Sequence, residues 1–289
     1  MKWYYPVVAL PIYLLFSLPL WMLYGLSTLL YGVMYHVVGY RKNVVRNNLN
    51  NAFPQKSQKE LLAIEREYYK HMVDVIVETL KLTTISAKAL QKRVVFKNPE
   101  LVKSIMDSGQ SFVFVLGHQG NWEWSGPAYA TLNIGELNGI YHPLSNAFFN
   151  WLIIKIRSRH GLKLVAMSQV MRVMAGFKHK PSGMAFIADQ TPMPETAYWT
   201  TFLNQDTPVF VGTEKIARRF NYPVVYASNK KVKRGHYEIE FRIITNTPAE
   251  TPEGWITEQH TQLLQQDIIN QPAYWLWSHK RWKHQRGNL

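Results

Sequence analysis

The chain opens on a long apolar run: between Trp3 and Tyr40 there is no Asp, Glu, Lys or Arg. About 20 apolar residues are enough to cross the hydrocarbon core of a bilayer as a helix. The run therefore predicts an N-terminal membrane anchor, either one tilted span with an interfacial extension or a short re-entrant hairpin. Pro6, Pro11 and Pro19 argue against a straight helix at the start, because proline removes a backbone donor and crowds the preceding turn. Residues 20–38 are the cleaner helical stretch. A cleaved signal peptide fits less well, since the apolar core is too long and no small-residue cleavage site follows it. Arg41, Lys42 and Arg46 come next, with Lys56 and Lys59 beyond. Positive charge on that side predicts a cytoplasmic location for the rest of the chain. The expected division is an anchor over residues 1–45 and a cytoplasmic domain over 46–289.

Beyond the anchor the pattern changes. Residues 47–54 read as a polar connector. Ser57 and Glu60 form a capping box, and Leu61, Ile64, Tyr68, Met72, Val75 and Leu80 then recur at helical spacing, which predicts a long amphipathic helix. Short apolar runs and helical patterns alternate from there. Strands are expected at 94–97, 112–116, 137–141, 162–166, 183–188 and 224–227, with an edge strand at 237–244. Helices are expected at 99–108, 146–159 and 255–270. This alternation predicts an α/β fold with a mixed, mostly parallel sheet flanked by helices.

Composition narrows the partners. Lys and Arg exceed Asp and Glu by 14, so the surface field is positive and an anionic partner is expected. The 10 Trp and 16 Tyr suit a boundary with one apolar and one wet side. The absence of cysteine excludes disulfides, thiolate metal sites and a cysteine nucleophile.

The segment with most chemistry is Phe112-Val-Phe-Val-Leu-Gly-His-Gln-Gly-Asn-Trp-Glu-Trp-Ser125. A buried strand ends at Gly117 and places His118 at its carboxyl end, where open α/β sheets put their sites. Gly120 and Asn121 permit a tight turn, and a helix begins near Trp122, with Glu123 in its first turn. In one continuous helix, residues five apart would point about 140° away from each other; the turn removes that obstacle. His118 is then expected to act as a base toward a substrate hydroxyl, with Glu123 as the carboxylate that fixes its tautomer. No H-E-x-x-H or G-x-S-x-G pattern occurs, which argues against a zinc enzyme or a serine hydrolase. No metal and no bound cofactor are expected.

Gly117-His-Gln-Gly-Asn-Trp-Glu123 resembles the H-x4-D/E motif of glycerolipid acyltransferases, and most closely that of the lipid A late acyltransferase family. Tyr141-His-Pro143, Asn150-Trp-Leu152 with Arg157-Ser-Arg159, and Ile187-Ala-Asp-Gln190 are similar to further blocks of that family. So are Gly39-Tyr-Arg-Lys42, Ala52-Phe-Pro54 and Glu78-Thr-Leu-Lys81. The likeness runs from about residue 20 to Lys283. It implies a glycerolipid acyltransferase-like fold and transfer of a fatty acyl chain from an acyl carrier protein thioester to a hydroxyl of a lipid A precursor at the inner membrane. It implies His118 and Glu123 as catalytic residues. Arg157 and Asp189 align with functional positions; Arg159 is expected beside Arg157, and Asn121 joins the substrate-binding group. Asp189 is expected to position Arg157 or the acceptor sugar. The chain departs from the family at His142, where arginine is frequent.

Two alternatives stay open on sequence grounds: the same chemistry on another lipid, such as a glycerolipid or aminolipid, and a non-catalytic basic protein that binds membranes or nucleic acid. The aromatic and basic tail, Tyr274 to Lys283, resembles a nucleic-acid stacking platform when taken alone. Beside an apolar N-terminus it reads instead as a headgroup-level surface or a wall of the active site, and no nucleic acid is expected as partner.

Overall fold

The computed structural model describes residues 2–284 and 286; residues 285 and 287–289, the end of the expected second domain, lie outside the described residues. The apolar start forms two helices, α1 (Tyr5–Ser17) and α2 (Leu20–Gly32), the second continuing as a π-helical segment Val33–Val38. The break falls at Leu18-Pro19. Leu18 is extended (φ −55°, ψ 150°), as expected for a residue that precedes proline. Lys81 donates to the carbonyls of Phe16 (2.7 Å) and Leu18 (2.9 Å) and so satisfies the open end of α1. The pair is bent by 105°; among the described residues no single helix is long and apolar enough to cross a membrane, and only this bent pair meets the length and composition required.

The helix α3 (Lys42–Ala52) occupies the stretch expected as a polar connector. Val45, Asn48, Leu49 and Ala52 recur at helical spacing and are buried. Asn48 donates its side-chain amide to the carbonyls of Trp277 and His279, a tertiary compensation for the weak helix propensity of asparagine. The capping box forms, and α4 (Gln58–Lys81) is the long central helix. It is followed by α5 (Ala87–Gln91), β1 (Val94–Phe96), α6 (Pro99–Asp107), β2 (Phe112–Leu116), α7 (Trp122–Ala130), β3 (Leu137–Tyr141), α8 (Ala147–Ser158), β4 (Lys163–Ala166), α9 (Val170–Gly176) and β5 (Gly183–Ile187). The chain then runs through β6 (Tyr198–Phe202), β7 (Gln205–Val209), α10 (Gly212–Phe220), β8 (Val224–Lys233), β9 (His236–Thr245) and α11 (Trp255–Asn270).

Seven strands form one sheet in the order β1-β9-β8-β2-β5-β3-β4. Every neighbouring pair is parallel except β8 with β9, so the mixed, mostly parallel α/β sheet is as expected. One placement differs: the strand over 237–244 was expected at an edge, but β9 lies between β8 and β1, because β1 pairs with it in parallel. Its polar alternation reflects a short, partly covered flank. The hairpin of β6 and β7 went unread in the sequence. Its turn residues Leu203 and Asn204 both have positive φ (50° and 63°), the geometry of a tight two-residue hairpin, and Leu203 is not a residue that signals it.

The central strand β2 is buried on both faces. Val113 and Val115 pack into one core with α3, α4, α11 and the tail tryptophans; Phe112 and Phe114 pack into the other with Trp124 and Tyr129 of α7 and Leu152 and Ile156 of α8. Ala9, Phe16, Leu20 and Leu23 belong to that second core, so the N-terminal helices pack directly on the sheet domain. Their other side carries exposed Trp3, Val7, Leu14, Trp21, Leu29 and Val37, with Trp21 75% exposed.

Candidate active site

Strands β2 and β5 run side by side in parallel with Leu116 opposite Ile187. Two residues further on each strand stand His118 and Asp189, and their side chains meet. The imidazole Nδ1 lies 2.6 Å from Asp189 Oδ1, and the backbone N–H of His118 donates to Asp189 Oδ2 at 2.7 Å. Trp275 Nε1 donates to the same Oδ2 at 2.7 Å. The carboxylate that backs His118 is therefore Asp189, not Glu123. The H-x4-E spacing points to Glu123, but its carboxylate pairs with Arg157, while strand pairing brings a residue 71 positions away onto the ring.

The carboxylate fits against the strand end because Gly117 has no side chain. A Cβ there would stand 3.1 Å from Asp189 Oδ2 and 2.5 Å from a methyl of Leu264. Burial alone would raise the Asp189 pKa. The charge of His118, its two hydrogen bonds and that of Trp275 outweigh this and hold it at about 2. With Nδ1 engaged by an ionised acceptor, Nδ1 carries the proton and Nε2 is left as the basic nitrogen. The ring is 14% exposed and packs edge-on against Trp122.

His118 lines a cavity of about 300 Å³ whose walls are mainly apolar, including Leu116, Ile140, Leu162, Leu164, Met167 and Phe186. Glu123 and Arg157 line it as well. They form a bidentate pair, Nε to Oε2 at 2.8 Å and Nη2 to Oε1 at 2.6 Å. Glu123 sits in the first turn of α7 and Arg157 in the last turn of α8, each where its charge complements the helix dipole. Burial opposes the guanidinium charge, but Glu123 outweighs it and raises the Arg157 pKa. His142 is exposed on the rim of the same cavity.

A family model described as bacterial lipid A biosynthesis acyltransferase matches residues 2–284. The chain belongs to that family. No curated protein sequence matches it. Membership makes this an acyltransferase of lipid A biosynthesis, and the apolar cavity beside a histidine–carboxylate pair is the feature of the fold suited to such a reaction.

Two residues expected in the substrate-binding group lie elsewhere. Arg159 does not join Arg157; it donates to the carbonyls of Leu82 and Ile85 and closes the end of α4. Two residues on a helix are about 200° apart, so both could not face one cavity. Asn121 is buried as the N-cap of α7. Its carbonyl oxygen accepts from the Trp124 N–H and its amide donates to Glu78 Oε2 at 2.6 Å. It shapes the turn and does not reach the cavity. Asp189 was expected to hold Arg157 or the acceptor and holds His118 instead.

Trp275 was not singled out in the sequence. Trp275 and Trp277 of the tail are buried and present no stacking or headgroup surface, while Trp282 is half-buried. The tail backs the site, bridged at Gln119 to the turn that carries His118 and fixed by the Gly120 N–H donating to the Tyr274 carbonyl. The signal was its density of large aromatics, which one core can bury together.

Proposed function

We propose that the chain transfers a fatty acyl group from an acyl carrier protein thioester to a hydroxyl of a lipid A precursor, with His118 as general base and Asp189 as its orienting partner. The single observation that carries this is the Asp189–His118 pair at the mouth of an apolar cavity. His118 Nε2 accepts the proton of the acceptor hydroxyl while that oxygen attacks the thioester carbonyl. Asp189 stabilises the imidazolium that forms. The tetrahedral intermediate collapses, the carbon–sulfur bond breaks, and the imidazolium returns its proton to the departing thiolate. The products are the acyl ester and the free carrier thiol. Arg157 has Nη1 N–H groups that Glu123 does not use and would meet the oxyanion or a substrate phosphate. Glu123 would hold Arg157 in place and accept from acceptor hydroxyls.

The bent apolar helix pair supports a site at the membrane surface, with α1 and α2 dipping into the inner leaflet and the sheet domain on the cytoplasmic face. The positive surface supports an acidic carrier as donor. Lys280, Lys283 and Arg286 border a cleft of about 590 Å³, and this cleft is linked to the site through Thr191, two residues beyond Asp189, whose backbone N–H donates to His279 Nε2 and whose hydroxyl donates to the Lys280 carbonyl.

The test is mass spectrometry of lipids from cells carrying the wild-type chain or His118→Ala. A mass increase of one acyl chain on a phosphorylated disaccharide lipid, present only with wild type, is expected. The same increase on a glycerolipid or aminolipid would reassign the acceptor. Undiminished transfer by His118→Ala would remove the catalytic reading and leave a basic binding protein.

A further inference from the structure

A second cavity, of about 380 Å³, lies between α2, α4 and the tip of the β8–β9 hairpin, lined by four cations, Lys70, Lys231, Lys233 and Arg234, and by the carboxylates Glu67 and Asp74. The carboxylates are not free to balance all four. Asp74 is held by Arg234 (Nη2 to Oδ1 2.6 Å, Nε to Oδ2 2.9 Å) and by the Ser27 hydroxyl. Glu67 pairs with Lys70 at 3.7 Å.

Lys231 is the unusual member. It is only 7% exposed, yet among the described residues it forms no ion pair. Its ammonium has two neutral neighbours: His71 Nδ1 at 3.4 Å and the Tyr274 ring, whose centroid is 4.5 Å away. The histidine brings no negative charge, since its Nε2–H serves the Gly120 carbonyl at 2.9 Å and burial with the Lys231 charge pushes its pKa down to about 3. Burial lowers the Lys231 pKa against the more distant charges of Asp74, Glu67 and Glu78. A buried ammonium with no paired counter-charge is costly, and this one borders an open cavity that carries one further cation, Lys233, with no ion pair among the described residues. An anion placed there would restore the balance.

We propose that this cavity binds the phosphate of an anionic membrane lipid headgroup, with Lys231 at its floor and Lys70 and Lys233 at its rim. The phosphate chemistry follows from the unbalanced cations. The lipid source rests on the reading that α1 and α2 face a bilayer: α2 contributes Ser27, Thr28 and Tyr31 to the cavity, and Leu29, Leu30 and Val33 beside them are exposed. Through His71 the site touches the Gly120 carbonyl, within the turn that carries His118.

Two measurements on the full-length protein test this. The first follows line broadening of inorganic phosphate by phosphorus NMR with the protein in neutral detergent, which requires no bilayer. The second follows sedimentation with phosphatidylcholine vesicles with and without phosphatidylglycerol. The variants are Lys231→Met, which keeps the buried stem, and the rim double variant Lys70→Gln/Lys233→Gln, whose exposed positions leave folding intact. A loss of charge-assisted hydrogen bonds should weaken phosphate binding and the phosphatidylglycerol-dependent gain about tenfold in both variants. Should Lys231→Met fail to fold, the rim variant decides alone. Loss for inorganic phosphate with an unchanged phosphatidylglycerol response would assign the site to free phosphate and overturn the lipid source. Unchanged behaviour in both measurements would overturn the site. His118→Ala should bind as wild type does, so failure of the catalytic reading is visible separately.

Discussion

At the scale of single residues, Asp189 holds His118 by two points, ring and backbone, and is itself held by Trp275. Asp189→Asn preserves size but offers an amide that can donate to the imidazole and favour the wrong tautomer. Acyl transfer should fall by about 10²–10⁴-fold with little change in apparent affinity for donor or acceptor, read as kcat against KM. The acid stability of the two proteins should also differ. The folded pKa of Asp189, about 2, lies below its ordinary value of 3.8. Its ionised form therefore adds stability that is complete above pH about 4 and is lost as the pH falls through about 2. Acid unfolding followed by circular dichroism should show that loss in the wild type and a flatter response in Asp189→Asn. Glu123→Gln breaks the bidentate hold on Arg157. It is expected to reduce transfer while leaving the Asp189–His118 pair in place.

At the scale of elements, the turn from β2 into α7 is set by what surrounds it. Gly117→Ala pushes a methyl into Leu264 and toward Asp189. Overpacking of this kind costs about 1–3 kcal/mol, measurable by chemical denaturation. Leu264→Ala in the same chain should recover part of the loss, because a flexible side chain is the nearer obstacle. Below the turn, Glu78 ties four elements together: it accepts from Tyr24 of α2, Tyr237 of β9 and Asn121 at the start of α7, while its own carbonyl accepts from Trp124 Nε1. Burial pushes its carboxyl up to about 7, against the pull of its donors. The folded pKa is above the ordinary 4.5, so the stability it contributes is full below pH about 4.5 and declines as the pH rises through about 7. Thermal melts between these values should show that decline, and Glu78→Gln should flatten it.

At the scale of the whole molecule, α1 and α2 join the sheet domain on one side and leave an apolar face on the other. If that face enters a bilayer, charging it should release the protein without unfolding it. Trp21→Lys/Leu29→Lys alters two exposed side chains and is expected to shift the chain from the membrane to the soluble fraction while its melting temperature stays within about 1–2 °C, as surface substitutions usually cost little. Retention on membranes with both lysines in place would mean that another surface holds it there.

The sequence by itself determined the elements with strong local signals. The capping box at Ser57 and Glu60 fixed the start of α4, proline fixed the break at Leu18-Pro19, and the apolar runs at 112–116 and 137–141 became β2 and β3 with the same bounds. It also placed His118 at a strand end and grouped Glu123, Arg157 and Asp189 as candidates. Their partnership was not legible, because a side chain's partner across a parallel sheet depends on which strands are neighbours and in what register, and neither is encoded locally. Hence Asp189 took the place expected for Glu123, and Arg159 and Asn121 left the site for capping roles. The helix at 42–52 and the hairpin at Leu203-Asn204 were hidden for a related reason: weak local preferences yielded there to burial and hydrogen bonds that exist only once the chain is folded.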